Sequence, residues 1–193
     1  MVRLALILFL LNFQVNAGIE SCRIFYRNNV AKVERPTYLT AKIGSQFRWE
    51  WLQFRYLPKN KRPHHEIYLD GPQWKFAANQ SVVSGRFEFV IGPNGNMYVG
   101  RKGKDISSHA AILRGTPIAS GGIIVIENGK ILAMTTDTGH YWEGFNAIGG
   151  NATNISQFMT ELTVRGDDVS DFSVYNSFIV REGYRINELL PAN

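Results

Sequence analysis

A chain of 193 residues with 45% hydrophobic and 19% charged side chains is too apolar for intrinsic disorder and long enough to bury a core. One cysteine excludes a disulfide scaffold, and a single short apolar run excludes a polytopic membrane protein. The net charge of +5 is mild and does not by itself mark a nucleic-acid binder.

The apolar run opens the chain. Arg3 precedes Leu4 to Leu11, which contain no polar residue, and Val15-Asn16-Ala17 fits the small-x-small rule of signal peptidase. This pattern predicts a signal peptide over residues 1–17, a single domain over residues 18–193, and a secreted or periplasmic product with no stable membrane anchor. Cys22, just past the cut, has no intramolecular partner and reads as a buried, inert thiol. In a eukaryotic host Asn79, Asn151 and Asn154 would each open a glycosylation sequon.

Residues 24–35 begin the fold with a strand. Residues 47–57 fit a strand, with Phe47, Trp49 and Trp51 on one face, or a helix, with Phe47, Trp51 and Phe54 on one face, Ser45 as cap and Pro58 as stop; the cap and stop favour the helix. Lys59-Asn60-Lys61-Arg62-Pro63-His64-His65 and Arg101-Lys102-Gly103-Lys104 are the basic clusters. Pro and Gly mark both as exposed loops, so nucleic acid is not an expected partner. His64-His65 lacks further ligands at metal spacing, so no metal site is expected.

Two hairpins follow. Residues 86–91 alternate, Gly92-Pro93-Asn94-Gly95 turns, and Met97-Tyr98-Val99-Gly100 returns. In the second, Asn128-Gly129 joins residues 122–127 to 130–135, which should set Ile123, Val125, Ile131 and Ala133 on one face. Gly121-Gly122 suggests a bulge or a close backbone approach. Ala110-Ala111-Ile112-Leu113 looks strand-like. Ile155, Phe158, Met159 and Leu162 share one helical face, with Thr153 or Asn154 as cap and Gly166 past the end. After a turn at residues 167–171, residues 172–180 read as one long strand. The fold class is α+β, an antiparallel sheet of hairpins with one or two packed helices in a single domain.

Candidates for chemistry are few. Ser107-Ser108-His109 follows a Gly/Lys loop, and His140-Tyr141 leaves the second hairpin. Glu143 lies near His140, and Glu161 lies beside the apolar face of the helix. A histidine where strand meets loop suits a general base; the alternative is that it bonds a nearby carbonyl and fixes a turn. The hairpin topology predicts that His109, His140 and Tyr141 border one cleft. No phosphate loop, nucleophile elbow or glycosidase carboxylate pair is found.

One ordered series of segments resembles a known family. It runs through Asn96-Met97-Tyr98-Val99-Gly100, His109-Ala110-Ala111-Ile112-Leu113-Arg114-Gly115, Glu127-Asn128-Gly129-Lys130 and Thr138-Gly139-His140-Tyr141. The central domain of plant IQ-motif-containing calmodulin-binding proteins is similar, with "YVG", "HSSFLAG", "V.NG" and "SGHY" in that order. Gly166-Asp167-Asp168-Val169-Ser170-Asp171 is similar to its "GVDLSDV". The likeness spans about Phe87 to Val174. Ala110-Ala111 and Trp142-Glu143 depart from the family's Ser-Ser and Arg-Pro. No IQ motif occurs, so calmodulin is not an expected partner.

The resemblance extends to bacterial effector and toxin domains. By analogy of residue types with ADP-ribosyltransferases, His109 would hold the ribose and Tyr141 would stack on nicotinamide, with His140 as a further catalytic candidate. Glu143 or Glu161 would stabilise an oxocarbenium ion, with Tyr98 and Gly139 against the cofactor, nicotinamide adenine dinucleotide (NAD). The first reading is thus a secreted effector or toxin, an ADP-ribosyltransferase-like transferase acting on a host protein or other macromolecule. The alternative is a non-catalytic secreted protein-binding module in which these residues are structural.

Overall fold

The computed structural model describes residues 22–24, 33–35, 56–138, 141, 150–175 and 177–189. Residues 1–17, the expected helix over 47–55, Gly139, His140 and Glu143 lie outside them. The chain divides into two compact units, Met1–Thr37 and Tyr38–Asn193. In the first, β1 (Cys22–Ile24) pairs antiparallel with β2 (Val33–Arg35).

The second unit is an eight-stranded antiparallel sheet in the order β4-β3-β6-β5-β7-β8-β10-β9. Its strands are β3 (Glu66–Asp70), β4 (Gln73–Phe76), β5 (Gly85–Ile91), β6 (Met97–Gly100), β7 (Ser120–Glu127), β8 (Lys130–Thr135), β9 (Phe172–Val174) and β10 (Phe178–Arg181). Among the described residues three α-helices accompany it: α1 (His109–Leu113), α2 (Gly150–Arg165) and α3 (Ile186–Leu189). This is the α+β architecture the hairpin pattern calls for.

Alternation along β5 separates the two sides of the sheet. Phe87, Phe89 and Ile91 join the larger core, into which α2 inserts Ile155, Phe158 and Leu162. Phe89 meets Phe158 edge-on at 5.2 Å between ring centroids. Val90 points the other way and joins α1, Ile106, Ile118 and Tyr141 in a second core. Both faces are therefore covered at the end of β5, which explains why Phe89-Val90-Ile91 are apolar without a break.

The Asn128-Gly129 turn forms as expected, with φ of 48° and 79°. The shared face does not extend to Ile131. Val125 pairs with Ala133, but Ile126 pairs with Ile131, so Leu132 is an extra residue. This bulge turns Ile131 into the larger core beside Ile126 and Met134.

Two further expectations are corrected. Residues 110–113 are helical, not a strand. Ser108 is extended before them, and Arg114 and Gly115 take left-handed φ of 59° and 73° after them. A short apolar run fits a buried helical turn as well as a strand, and here burial on all sides decided for the turn. Residues 172–180 are two strands, β9 and β10, that fold back as a hairpin.

The helix over 155–162 is present, but it starts at Gly150, so Thr153 and Asn154 lie inside it rather than capping it. Gly166 ends it with φ of 88°. Asn154 is fully buried and unavailable as a sequon, whereas Asn79 and Asn151 are exposed.

Candidate functional site

The close approach expected at Gly121-Gly122 organises the site. A Cβ on Gly122 would stand 1.7 Å from the carbonyl oxygen of Thr135, so only glycine lets β7 lie this near β8. The Gly122 carbonyl meets His109 Nε2 at 2.7 Å. A carbonyl only accepts, so Nε2 carries the proton and donates it. Nδ1 then faces Glu88 Oε2 at 3.6 Å, an ion-pair distance rather than a hydrogen bond.

Glu88 is on β5, on the same side as Val90, and its side chain is 7% exposed. Burial pushes its carboxyl up to about 7, against the opposing charge of Lys102. Lys102 Nζ stands 3.8 Å from Glu88 Oε1 on a side chain that is 75% exposed.

These residues border a cleft of about 410 Å³, lined also by Arg86, Phe87, Arg101, Ser108, Ile123, Asp137 and Thr138. Glu88 Oε2, Ser108 Oγ and Thr138 Oγ1 are buried and make no hydrogen bond among the described residues. Such groups ordinarily find partners, and each left without one costs about 1–3 kcal/mol. Their gathering in one cleft marks it as the site.

The other candidates stand elsewhere. Tyr141 is fully buried in the second core on the same side of the sheet as His109, and its hydroxyl donates to Thr116 O at 3.0 Å. Burial raises its phenol pKa, and it does not line the cleft. Tyr98 is half-buried against that core, where Asn96 Nδ2 donates to its hydroxyl at 3.4 Å. Glu161 lies on α2, across the sheet from His109, and accepts from Arg165 Nε at 2.6 Å. Arg165 also donates to Gly95 O at 2.7 Å. His109 and Glu161 are therefore not brought together.

Sequence reasoning passed over Glu88, Lys102 and Thr138. Glu88 gave no signal of burial, because it alternates with Phe87 and Phe89 as a solvent-facing residue would.

Residues 62–146 match the family model described as the IQ motif-containing protein middle domain. The IQ domain-containing protein IQM2 of Arabidopsis thaliana is 23% identical over 132 residues, 63% of this chain and 22% of the relative. IQM1 of the same plant is 26% identical over 91 residues, 45% of this chain and 19% of the relative. The chain spans about a fifth of the length of these curated relatives. No solved structure matches.

These relatives are plant IQ domain-containing proteins, not secreted toxins or effectors, which overturns the reading as an ADP-ribosyltransferase-like effector. The exclusion of calmodulin falls as well. It rested on the missing IQ motif, but the matched segment is the middle domain and not the motif itself. Over residues 62–146 this chain is similar to the middle domain of plant IQ motif-containing proteins.

Proposed function

We propose that this chain is a non-catalytic binding module whose recognition site is the cleft around Glu88 and His109. One observation carries the reading. Among the described residues Tyr141 and Glu161 lie on opposite sides of the sheet and are engaged in the fold, while three buried polar atoms without a hydrogen bond gather in the cleft. A cleft of this size suits a single small ligand or one protruding group of a partner.

Protein-observed NMR of the full chain against a library of small polar and apolar compounds tests this. Binding shifts should concentrate at the amides of Glu88, Ser108, His109 and Thr138, and bound compounds should be recovered unchanged. Shifts that cluster elsewhere, or chemical conversion of a bound compound, would overturn the reading.

A further inference from the structure

The cleft is chemically divided. Its deep groups are Glu88 Oε2, Ser108 Oγ and Thr138 Oγ1, buried and without a hydrogen bond among the described residues. A carboxylate accepts, and a hydroxyl both donates and accepts, so the floor asks for O–H or N–H donors on the ligand. The outer lining is cationic. Lys102 is largely exposed beside Glu88, and Arg86, two residues before Glu88 on the same side of β5, is exposed as well.

At the opening Arg86 and Lys102 stand against Asp137, with Glu88 buried beneath them, so the rim is positive. Its cations disfavour a metal ion, and no metal-holding group of His, Cys, Asp or Glu occurs among the described residues. An anion entering head first would meet the Glu88 carboxylate. One that keeps its charge at Lys102 and Arg86 and sends hydroxyls inward satisfies both ends.

We infer that the cleft binds a small hydroxylated anion, with its phosphate or carboxylate at Lys102 and Arg86 and its hydroxyls at Glu88, Ser108 and Thr138. This rests on the binding-module reading. The raised carboxyl of Glu88 suits the arrangement, because near neutrality it can either accept from a hydroxyl or donate to one.

Calorimetric titration of the full chain with glucose 6-phosphate, glycerol 3-phosphate and gluconate tests it, with inorganic phosphate and glucose as the split halves. At least one hydroxylated anion should bind about tenfold or more tighter than either half. Comparing gluconate with the two phosphates separates carboxylate from phosphate as the head group. Lys102→Ala, at an exposed side chain, should weaken the hydroxylated anion by about fivefold or more, and salt should weaken it likewise. Thr138→Val, if its melting temperature is unchanged, should weaken the hydroxylated anion and leave inorganic phosphate unaffected.

Inorganic phosphate binding as tightly as the hydroxylated anions would overturn the inference, as would glucose doing so. So would a failure of all three probes to bind at millimolar concentration. In that last case neutral or cationic compounds mapping to the cleft by NMR would leave the binding module standing. A hydroxylated anion that binds and is converted would do the reverse.

Discussion

Asn154 grips the Gly121 peptide from both sides. Its Oδ1 accepts from Gly121 N at 3.1 Å, and its Nδ2 donates to Gly121 O at 2.8 Å. Ser120 Oγ donates to the same Oδ1. A single amide thus fastens α2 to the start of β7, next to the glycine whose carbonyl holds His109.

Asn154→Ala removes all of these bonds inside the core; Ser120 Oγ keeps the backbone carbonyl of residue 154 at 3.1 Å, while the Gly121 peptide loses its side-chain partner. The expected loss is about 2–4 kcal/mol in urea unfolding. Asn154→Asp keeps the acceptor but sets a second oxygen against the Gly121 carbonyl, so it should recover little of the loss. Full recovery by aspartate would show that the donor half of the amide is idle.

Gly122→Ala tests the close approach. The added Cβ would fall 1.7 Å from a backbone oxygen, which no side-chain rotation relieves. The β7–β8 ladder must part locally, and a loss of about 3 kcal/mol or more is expected, or failure to fold. Gly103→Ala is the control for a glycine with open space around it; it should cost about 1 kcal/mol from its positive φ alone. Equal melting temperatures for the two variants would refute the packing argument.

How much of this could be read beforehand depends on how local each signal is. Asn128-Gly129 and the i, i+3, i+4, i+7 pattern of Ile155, Phe158, Met159 and Leu162 carry their meaning within a few residues, and both elements form. The bulge at Leu132 does not, because it is defined only against Val125 and Ile126 on the partner strand. Residues 109–113 are too short for periodicity to separate helix from strand. The break between β9 and β10 was signalled by Asn176-Ser177, a turn-prone pair, and was outweighed by the aromatic and β-branched residues around it. For the site, His109 was legible as a histidine at an element's end. Glu88 was not, because its burial depends on α1 covering the second face of the sheet.

Glu88 should make stability depend on pH. Its carboxyl titrates near 7 when folded, above the ordinary carboxylate range of the unfolded chain. Between those values the folded state holds a proton that the unfolded state has released. This contribution is fully present below the ordinary carboxylate range and is lost as pH rises to about 7 and beyond. The loss should be on the order of 2 kcal/mol. Chemical denaturation at pH 5 and pH 8 would measure it, and Glu88→Gln should flatten the difference. An unchanged difference in the variant would assign it to other groups.

Glu161 separates a structural carboxylate from one that faces a ligand. Its side chain is fully buried and pairs with Arg165, itself 4% exposed. Arg165 in turn lies 5.3 Å over the Trp74 ring, and Trp74 Nε1 donates to Asp167 at 2.8 Å. The pair therefore ties the end of α2 to β4. Glu161→Gln keeps the shape but removes the charge that balances a buried guanidinium, so it should cost about 3 kcal/mol. Because Glu161 lies across the sheet from the cleft, binding of small ligands there should match wild type below the lowered melting temperature. Lys102→Ala should do the opposite, leaving stability within about 0.5 kcal/mol and weakening binding, since its pairing with Glu88 is made from an exposed side chain. Thermal melts and titrations of both variants decide the matter: if Glu161→Gln lowers affinity while Lys102→Ala does not, the recognition site lies on the α2 side of the sheet and its placement at Glu88 is wrong.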